Sequence, residues 1–254
     1  GPAFGAVRTE KIAERGTWPT YRCDNKRSGF TSASVALPLK ELWKVDIGGR
    51  LSALTAAGGK VFFSSIDSTA LYAVDAACGK ILWRRIFPSR VDSPPTVCGE
   101  ALLAGCADGW VYCLRASDGK LAWCYRVAPA EDRLVAYERI ESVWPLHGSV
   151  LVEEGIAYCL AGRNRFLDGG LRLALLKCRT GELVRSLTLG DRDPKTGKNL
   201  QALMSWKGLP VANSDILSCD GTYIYMREQG SDLQGNPSDI RPKPAKEWKQ
   251  AGKG

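Results

Sequence analysis

The 254-residue sequence predicts an all-β fold, a β-propeller of four-stranded antiparallel blades, on two observations. Nearly the same segment occurs twice in close succession, as AVDAACGKILW over 73–83 and as CLRASDGKLAW over 113–123. Short runs rich in Val, Ile, Leu, Phe and Tyr surround both segments, and glycine-containing turns separate these runs. A repeat of about 40 residues built from short strands is typical of one propeller blade per repeat.

Two complete blades are predicted first. The expected strands are 51–57, 60–65, 70–75 and 80–86 in blade one and 94–98, 101–106, 109–115 and 120–127 in blade two. In both blades a Gly-Lys turn, at Gly79 and Gly119, leads into an outermost strand that contains a tryptophan. These tryptophans, Trp83 and Trp123, are separated by the same interval as the two glycines, so the register of the two blades is the same.

The third blade is recognisable and the fourth is partial. Strands of blade three are expected at 148–153, 156–161, 171–177 and 182–189, with Gly181 in the last turn. Val184 stands where the other blades lead us to expect a tryptophan. Blade four begins with strands at 214–218 and 222–226, and the pattern predicts no outer strands after them.

One strand is expected to stand outside these blades, at 41–47, because Trp43 precedes Trp83 by the interval that separates Trp83 from Trp123. A propeller needs at least ~4 blades to close. Three blades, part of a fourth and an orphan closing strand therefore predict an incomplete ring, either an excerpt of a longer propeller or an open arc that needs a partner. The predicted division is an N-terminal extension over 1–37, a partial propeller over 38–228 and a basic tail over 229–254, expected to be disordered.

The composition argues against a membrane-spanning protein, a metal or haem protein and a nucleic-acid-binding protein. No run approaches the ~18 apolar residues of a transmembrane helix, so the chain is not expected to span a membrane. The nine cysteines contain no Cys-x-x-Cys and no vicinal pair, which excludes the usual zinc and haem spacings and favours small buried thiols, with no metal site. Of the net charge of +8, the tail over 241–254 supplies +4, so no organised basic patch and no nucleic-acid partner are expected.

With these repeats in hand, the chain resembles the pyrroloquinoline-quinone (PQQ) repeat propellers, which include quinoprotein dehydrogenases and a non-enzymatic lipoprotein of outer-membrane β-barrel assembly. Further segments are similar to an exported, planctomycete-type bacterial subgroup over residues 17 to about 228: WPTYR at 18–22, RVDSPPT at 90–96, ADGWVYCL at 107–114 and ESVWPLHGS at 141–149. The resemblance implies a location in the periplasm or cell envelope. It also implies that one tryptophan per blade docks on the neighbouring blade, with Trp43, Trp83, Trp123, Gly79, Gly119 and Gly181 as the structural residues.

A candidate binding face follows from the insertions. Ser93 and Ser149 are farther apart in the chain than Ser52 and Ser93, so extra residues precede blade three on the face where innermost strands begin. Functional loops often cluster on one face of a rigid scaffold. The candidate ligand-binding residues there are Arg50, Arg90, Asp92, Ser93, Glu141, Trp144, His147, Arg163, Arg165 and Asp215.

Two interpretations of these residues stay open. Arg163 and Arg165, with Trp144 as a stacking ring, suit a planar anion such as a tricarboxylate quinone, a peptide carboxylate or a sugar acid. In the structural alternative Arg90 pairs with Asp92 or a neighbouring blade, and Trp144 packs the loop.

Two functions are compatible with the sequence. PQQ dehydrogenases typically have a vicinal cysteine pair, residues that bind calcium and often a haem motif, and this sequence has no recognisable match to them. This favours a non-catalytic scaffold that binds a ligand, a protein partner or the remaining blades in the bacterial envelope. The alternative is a PQQ-dependent alcohol or sugar dehydrogenase, using PQQ with calcium and with Asp92 or Glu141 as the general base.

Overall fold

The computed structural model describes residues 6–9, 16–35, 37–192, 196–199, 214–226 and 229–238, and every regular element within them is a β-strand. Strands of the described chain form four four-stranded sheets and one two-stranded hairpin, and each larger sheet is an antiparallel meander in chain order. The predicted all-β blade architecture is therefore confirmed. Among the described residues, no helix has the length and apolarity needed to cross a bilayer.

The first two blades match the predicted strands closely. Blade 1 consists of β1 (Thr55–Ala57), β2 (Lys60–Ser65), β3 (Ala70–Asp75) and β4 (Ile81–Ile86). Blade 2 consists of β5 (Thr96–Cys98), β6 (Ala101–Gly105), β7 (Trp110–Arg115) and β8 (Leu121–Arg126).

The hairpin β9 (Arg133–Ala136) and β10 (Arg139–Ser142) follows blade 2 and was not predicted. Blade 3 consists of β11 (Leu151–Glu153), β12 (Ile156–Ala161), β13 (Leu171–Lys177) and β14 (Leu183–Leu189). Blade 4 consists of β15 (Ser218–Cys219), β16 (Tyr223–Met226), β17 (Gln229–Asp232) and β18 (Pro237–Ser238).

Two expectations about the ends of the propeller were wrong. Blade 4 does have its outer strands, β17 and β18, so strand structure continues past the boundary predicted at residue 228. Residues 239–254 of the predicted tail lie outside the described residues. The segment 41–47 is not a strand, because no described segment pairs with it. Trp43 and Ile47 nevertheless pack on blade 1, beside buried Phe63 and Tyr72.

Apolar layers between neighbouring blades form the core. Blades 1 and 2 bury Phe62 and Leu71 with Leu102 and Leu114. The other two seams are the Leu103, Cys113, Cys159 and Leu176 layer between blades 2 and 3, and the Leu160, Leu173, Ile224 and Met226 layer between blades 3 and 4. Because a middle blade is covered on both faces, all of β6 is buried and its side chains are apolar or small instead of alternating with polar ones.

On the outer face of blade 1 and at the first two seams, a tryptophan lies flat on a turn glycine. Trp43 lies over Gly79, Trp83 over Gly119 and Trp123 over Gly181. The three indole N–H groups donate to the carbonyl oxygens of Ala76, Ala116 and Cys178 at 3.0, 3.1 and 3.1 Å. Each contact joins the indole to the blade that follows it, so the repeated tryptophan fills a seam and satisfies a turn carbonyl.

The residue that replaces the tryptophan in blade 3 is Arg185, and the assignment of Val184 to this position was wrong. Trp83 faces Ala73, Trp123 faces Cys113, and Arg185 is the residue that faces Leu175. The Arg185 guanidinium donates to the carbonyl oxygen of Gln234 in the β17–β18 turn at 2.8 Å. An arginine therefore makes the hydrogen bond to the next blade that an indole makes elsewhere.

Alanine at Gly119 should destabilise the protein for two separable reasons. Gly119 has φ of +69°, and a Cβ there would lie 2.6 Å from the Trp83 ring. Gly59 has nearly the same φ of +68° with no atom within 4 Å of a Cβ. Gly59→Ala is expected to cost about 1–2 kcal/mol of unfolding free energy for the left-handed backbone, and Gly119→Ala about 1–3 kcal/mol more for the collision. Urea unfolding measures both, and equal losses would refute the tryptophan contact.

The segment 18–27 is an integral part of the propeller and not a separate extension. Trp18 and Ala56 of blade 1 exchange two backbone hydrogen bonds, and Pro19 accepts one from Val97 of blade 2. The chain then continues to the two remaining blades: Asn25 donates to the carbonyl of Val152 at 2.6 Å, and Arg27 donates to that of Leu217 at 2.9 Å. The segment thus lies along the inner edges of the innermost strands of the four described blades, and we call it the axial segment because these edges face the centre of a propeller.

Burial accompanies these contacts. It lowers the pKa of the Arg27 guanidinium to about 10, against the opposing charges of Asp24 and Tyr21. The same side chain donates to the Thr20 hydroxyl at 2.7 Å. Arg27 is therefore a structural cation that links two parts of the segment 18–27 and joins the segment to blade 4.

Candidate functional site

The polar cluster on the face where the innermost strands begin is centred on Arg90. Its Nε donates to Glu141 Oε1 at 2.6 Å, and its Nη1 donates to Asp92 Oδ1 at 3.0 Å. Arg90 and Asp92 are two residues apart in the segment that leads into β5, a spacing that puts both side chains on one side of an extended chain. Glu141 comes from β10, so the ion pair joins the hairpin to blade 2.

The cluster is deeply buried. The Glu141 side chain is 0% exposed and that of Arg90 8% exposed. Burial alone would lower the pKa of the Arg90 guanidinium, but the hydrogen bond to Glu141 and the charges of Asp92 and Glu141 outweigh it, and the pKa is raised. Arg90 is therefore a permanent cation whose charge is matched at two sites.

A second arginine completes the surroundings of Glu141. Arg163 Nη2 lies 3.5 Å from Glu141 Oε2, an ion-pair distance, and this oxygen forms no hydrogen bond with any described residue. Arg163 also contacts the carbonyl oxygen of Ser142 at 3.4 Å. The carboxylate thus sits between cations from blade 2 and blade 3 and links the hairpin to both.

Asp92 extends the cluster to the segment that precedes blade 3. Its Oδ2 lies 2.7 Å from His147 Nδ1, and the Ser93 hydroxyl donates to the His147 carbonyl at 2.5 Å. The structure therefore brings together six of the predicted ligand-binding residues: Arg90, Asp92, Ser93, Glu141, His147 and Arg163.

The other four predicted residues have separate contacts. Exposed Arg50 pairs with Asp67 at 3.0 Å on blade 1. Trp144 is buried in the seam between blades 2 and 3, and its indole donates to the Asp168 carbonyl at 2.8 Å. Arg165 Nε donates to the carbonyl oxygen of Gly190 at 2.5 Å. Asp215 lines a narrow recess beside Gly148 and Ser149.

The sequence reasoning missed the residues that surround this cluster. Tyr137 stacks on Arg90, with the guanidinium carbon 4.5 Å from the ring centre, and Arg139 donates to the backbone carbonyl of Asp67. Both residues belong to the β9–β10 hairpin, for which the extra length before blade three was the one indication in the sequence.

The polar contacts of the cluster link neighbouring blades to each other. Arg90 and Arg163 each face a carboxylate, and His147 Nδ1 lies within hydrogen-bond distance of Asp92, so most of the polar contacts of the cluster are made within it. Within the described ranges, no three His, Cys, Asp or Glu residues are grouped as metal ligands would be. The arrangement holds the hairpin, blade 2 and blade 3 in fixed positions.

Part of the sequence is similar to curated proteins described as outer membrane protein assembly factors. The chain is 29% identical over 109 residues to outer membrane protein assembly factor BamB of Moranella endobia, covering 38% of this chain and 28% of the relative. It is 31% identical over 87 residues to the BamB of Nitrosomonas eutropha, covering 34% and 21%. The matches thus span about a quarter of the length of these curated relatives.

Among solved structures, quinohemoprotein alcohol dehydrogenase from Comamonas testosteroni superposes with a TM-score of 0.66 at 14% identity, covering 87% of this chain and 40% of that one. At this identity the likeness shows the propeller fold. A family model matches most of the sequence, over residues 39–249, and its description is outer membrane protein assembly factor BamB. The chain therefore belongs to the BamB family of PQQ-repeat propellers.

Proposed function

We propose that this chain is part of a non-catalytic propeller that acts as a protein-binding scaffold in the bacterial cell envelope, in the assembly of outer membrane proteins. The family match supports this role, since the matched relatives are described as outer membrane protein assembly factors. The observation that carries the non-catalytic part is the buried ion pair, in which Arg90 and Glu141 are bonded to each other at 2.6 Å.

The residues of the Arg90 cluster and Trp144 are poorly suited to PQQ with calcium. A tricarboxylate quinone needs cations with free donor directions, whereas Arg90 is engaged by two carboxylates and by the Tyr137 ring. Trp144, the proposed stacking ring, is buried in a seam. A calcium ion needs six to eight oxygen ligands, and the carboxylates of Asp92 and Glu141 already face arginines. These observations favour the scaffold over the dehydrogenase.

A cofactor titration tests the non-catalytic part. Purified protein is mixed with PQQ and Ca²⁺, and quinone absorbance and dye-linked oxidation of alcohols and sugars are followed. We expect no saturable binding at high micromolar PQQ and no oxidation above a sample without protein. Saturable binding with turnover would support the dehydrogenase instead.

A deletion in the source organism tests the envelope role. Loss of the gene should lower the amount of β-barrel protein in the outer membrane fraction, and expression of the full-length wild-type gene should restore it. An unchanged β-barrel content in the deletion strain would contradict the scaffold role.

A further inference from the structure

The β9–β10 hairpin stands outside the four blades and presents an apolar face to solvent. Val135 and Ile140 face each other across the hairpin, are 76% and 61% exposed, and lie beside a 75% exposed Tyr137 at the turn. The opposite face carries Glu141, which is buried in the ion network. Side chains on a two-stranded ribbon alternate between its faces, so one face anchors the hairpin and the other is free.

The anchored face holds the hairpin firmly. Glu141 bonds to Arg90, and the Ser89 hydroxyl donates to the Ile140 carbonyl at 3.1 Å. Arg139 donates to the backbone of Asp67 in blade 1, so the hairpin is fixed across the tops of two blades. A surface fixed before binding loses little conformational entropy when a partner docks, which favours recognition.

The turn of the β9–β10 hairpin contains residues that are unusual for its backbone geometry. Tyr137 and Glu138 have φ of +51° and +62°, the left-handed geometry of a two-residue type I′ connection that normally takes Asn-Gly. Tyr137 is 75% exposed at this strained position, and the contact that its ring makes is the stacking on the Arg90 guanidinium. Strain of this kind at an exposed position is typical of residues kept for a function.

The charge beside the apolar pair indicates what kind of surface fits it. Arg133 is exposed, lies two residues before Val135 on the same face of β9, and forms no ion pair with any described residue. We propose that Arg133, Val135, Tyr137 and Ile140 form the docking surface for a partner protein with an apolar groove and a carboxylate opposite Arg133. This inference rests on the proposed scaffold function and assigns a surface to it.

Site-specific crosslinking tests the assignment. A photoreactive benzoylphenylalanine is placed at Val135 in the full-length protein in its source organism, and a matched one at Val184, an exposed valine on blade 3. We expect crosslinks to an envelope protein from position 135 at a yield at least fivefold above that from position 184. Crosslinked peptides identified by mass spectrometry name the partner and its groove.

Charge exchange then distinguishes docking from proximity. Arg133→Glu should lower the crosslink yield from position 135 at least fivefold, and replacing the facing partner carboxylate by lysine should restore it. Ile140→Thr, which keeps a β-branched side chain, should also lower the yield. A yield unaffected by both changes, or crosslinks from position 184 alone, would overturn the hairpin assignment while leaving the scaffold function in place. No crosslink from either position together with normal outer membrane content would contradict both.

Discussion

Replacing Glu141 by alanine is expected to lower the free energy of unfolding by about 3–5 kcal/mol, because it removes one partner of a buried ion pair. Arg90, 8% exposed, would keep its charge in a site that no longer holds the opposite one. Arg163 would lose its nearest carboxylate as well. Urea unfolding at neutral pH, followed by tryptophan fluorescence, measures the loss.

Two comparisons show whether burial is the cause. Glu141→Gln keeps the shape and one acceptor oxygen, so its loss should be smaller than that of the alanine variant. Glu182→Ala breaks the exposed Lys177–Glu182 pair and should cost less than about 1 kcal/mol. A Glu141→Ala loss no greater than that of Glu182→Ala would show that the network does not stabilise the fold.

Trp123→Ala is expected to be as damaging, at about 3–5 kcal/mol, since the indole is 1% exposed and fills the seam between blades 2 and 3. Its loss would also leave the Cys178 carbonyl without its donor. Trp83 is half-buried, so Trp83→Ala should cost less in the same denaturant assay.

Trp123→Phe separates the two contributions, because phenylalanine keeps most of the packing and cannot donate to Cys178. Its loss should fall between zero and that of the alanine variant. Equal losses for Trp83→Ala and Trp123→Ala would contradict the idea that seam burial sets the magnitude.

The fold was predictable where strong patterns coincide. Apolar runs between glycine turns defined the strands of the first three blades to within a few residues. Strands β17 and β18 escaped because their sequences, QGSD and PS, have little strand propensity. Tertiary contacts stabilise them instead: Tyr158 donates to the Leu233 carbonyl at 2.8 Å, beside the Arg185 contact described above.

A recurring irregularity explains the misplaced tryptophan equivalent. Each third-to-fourth strand pair of the first three blades contains a register shift, at Ala73/Val74, Cys113/Leu114 and Leu175/Leu176. The shift recurs at the equivalent place in each blade, so the spacing between the turn glycine and the tryptophan position is the same in all three. Counted from Gly181, that spacing leads to Arg185. Matching by hydrophobic character selects Val184, its apolar neighbour.

For the candidate site, the shared face and the pairing of Arg90 with Asp92 were predicted from the sequence, and the pairing of Glu141 with Arg90 and Arg163 was not. Arg90, Asp92 and His147 were expected on one face because innermost strands of successive blades start there, and they do meet. Which cation faces which carboxylate depends on the hairpin that carries Glu141, and no turn motif marks that hairpin: its turn residues are Tyr137 and Glu138. The same geometry removes Trp144 from the surface.

The axial segment has a consequence for the order of folding. Arg27 and Leu217 bond across 190 residues of sequence, so the segment synthesised early cannot complete its contacts until blade 4 has formed. Blades can form one after another from local hairpins, since each meander pairs neighbours in the chain. Residues 18–27 can therefore complete their docking only after blade 4 has formed, and this docking links the four described blades to one another.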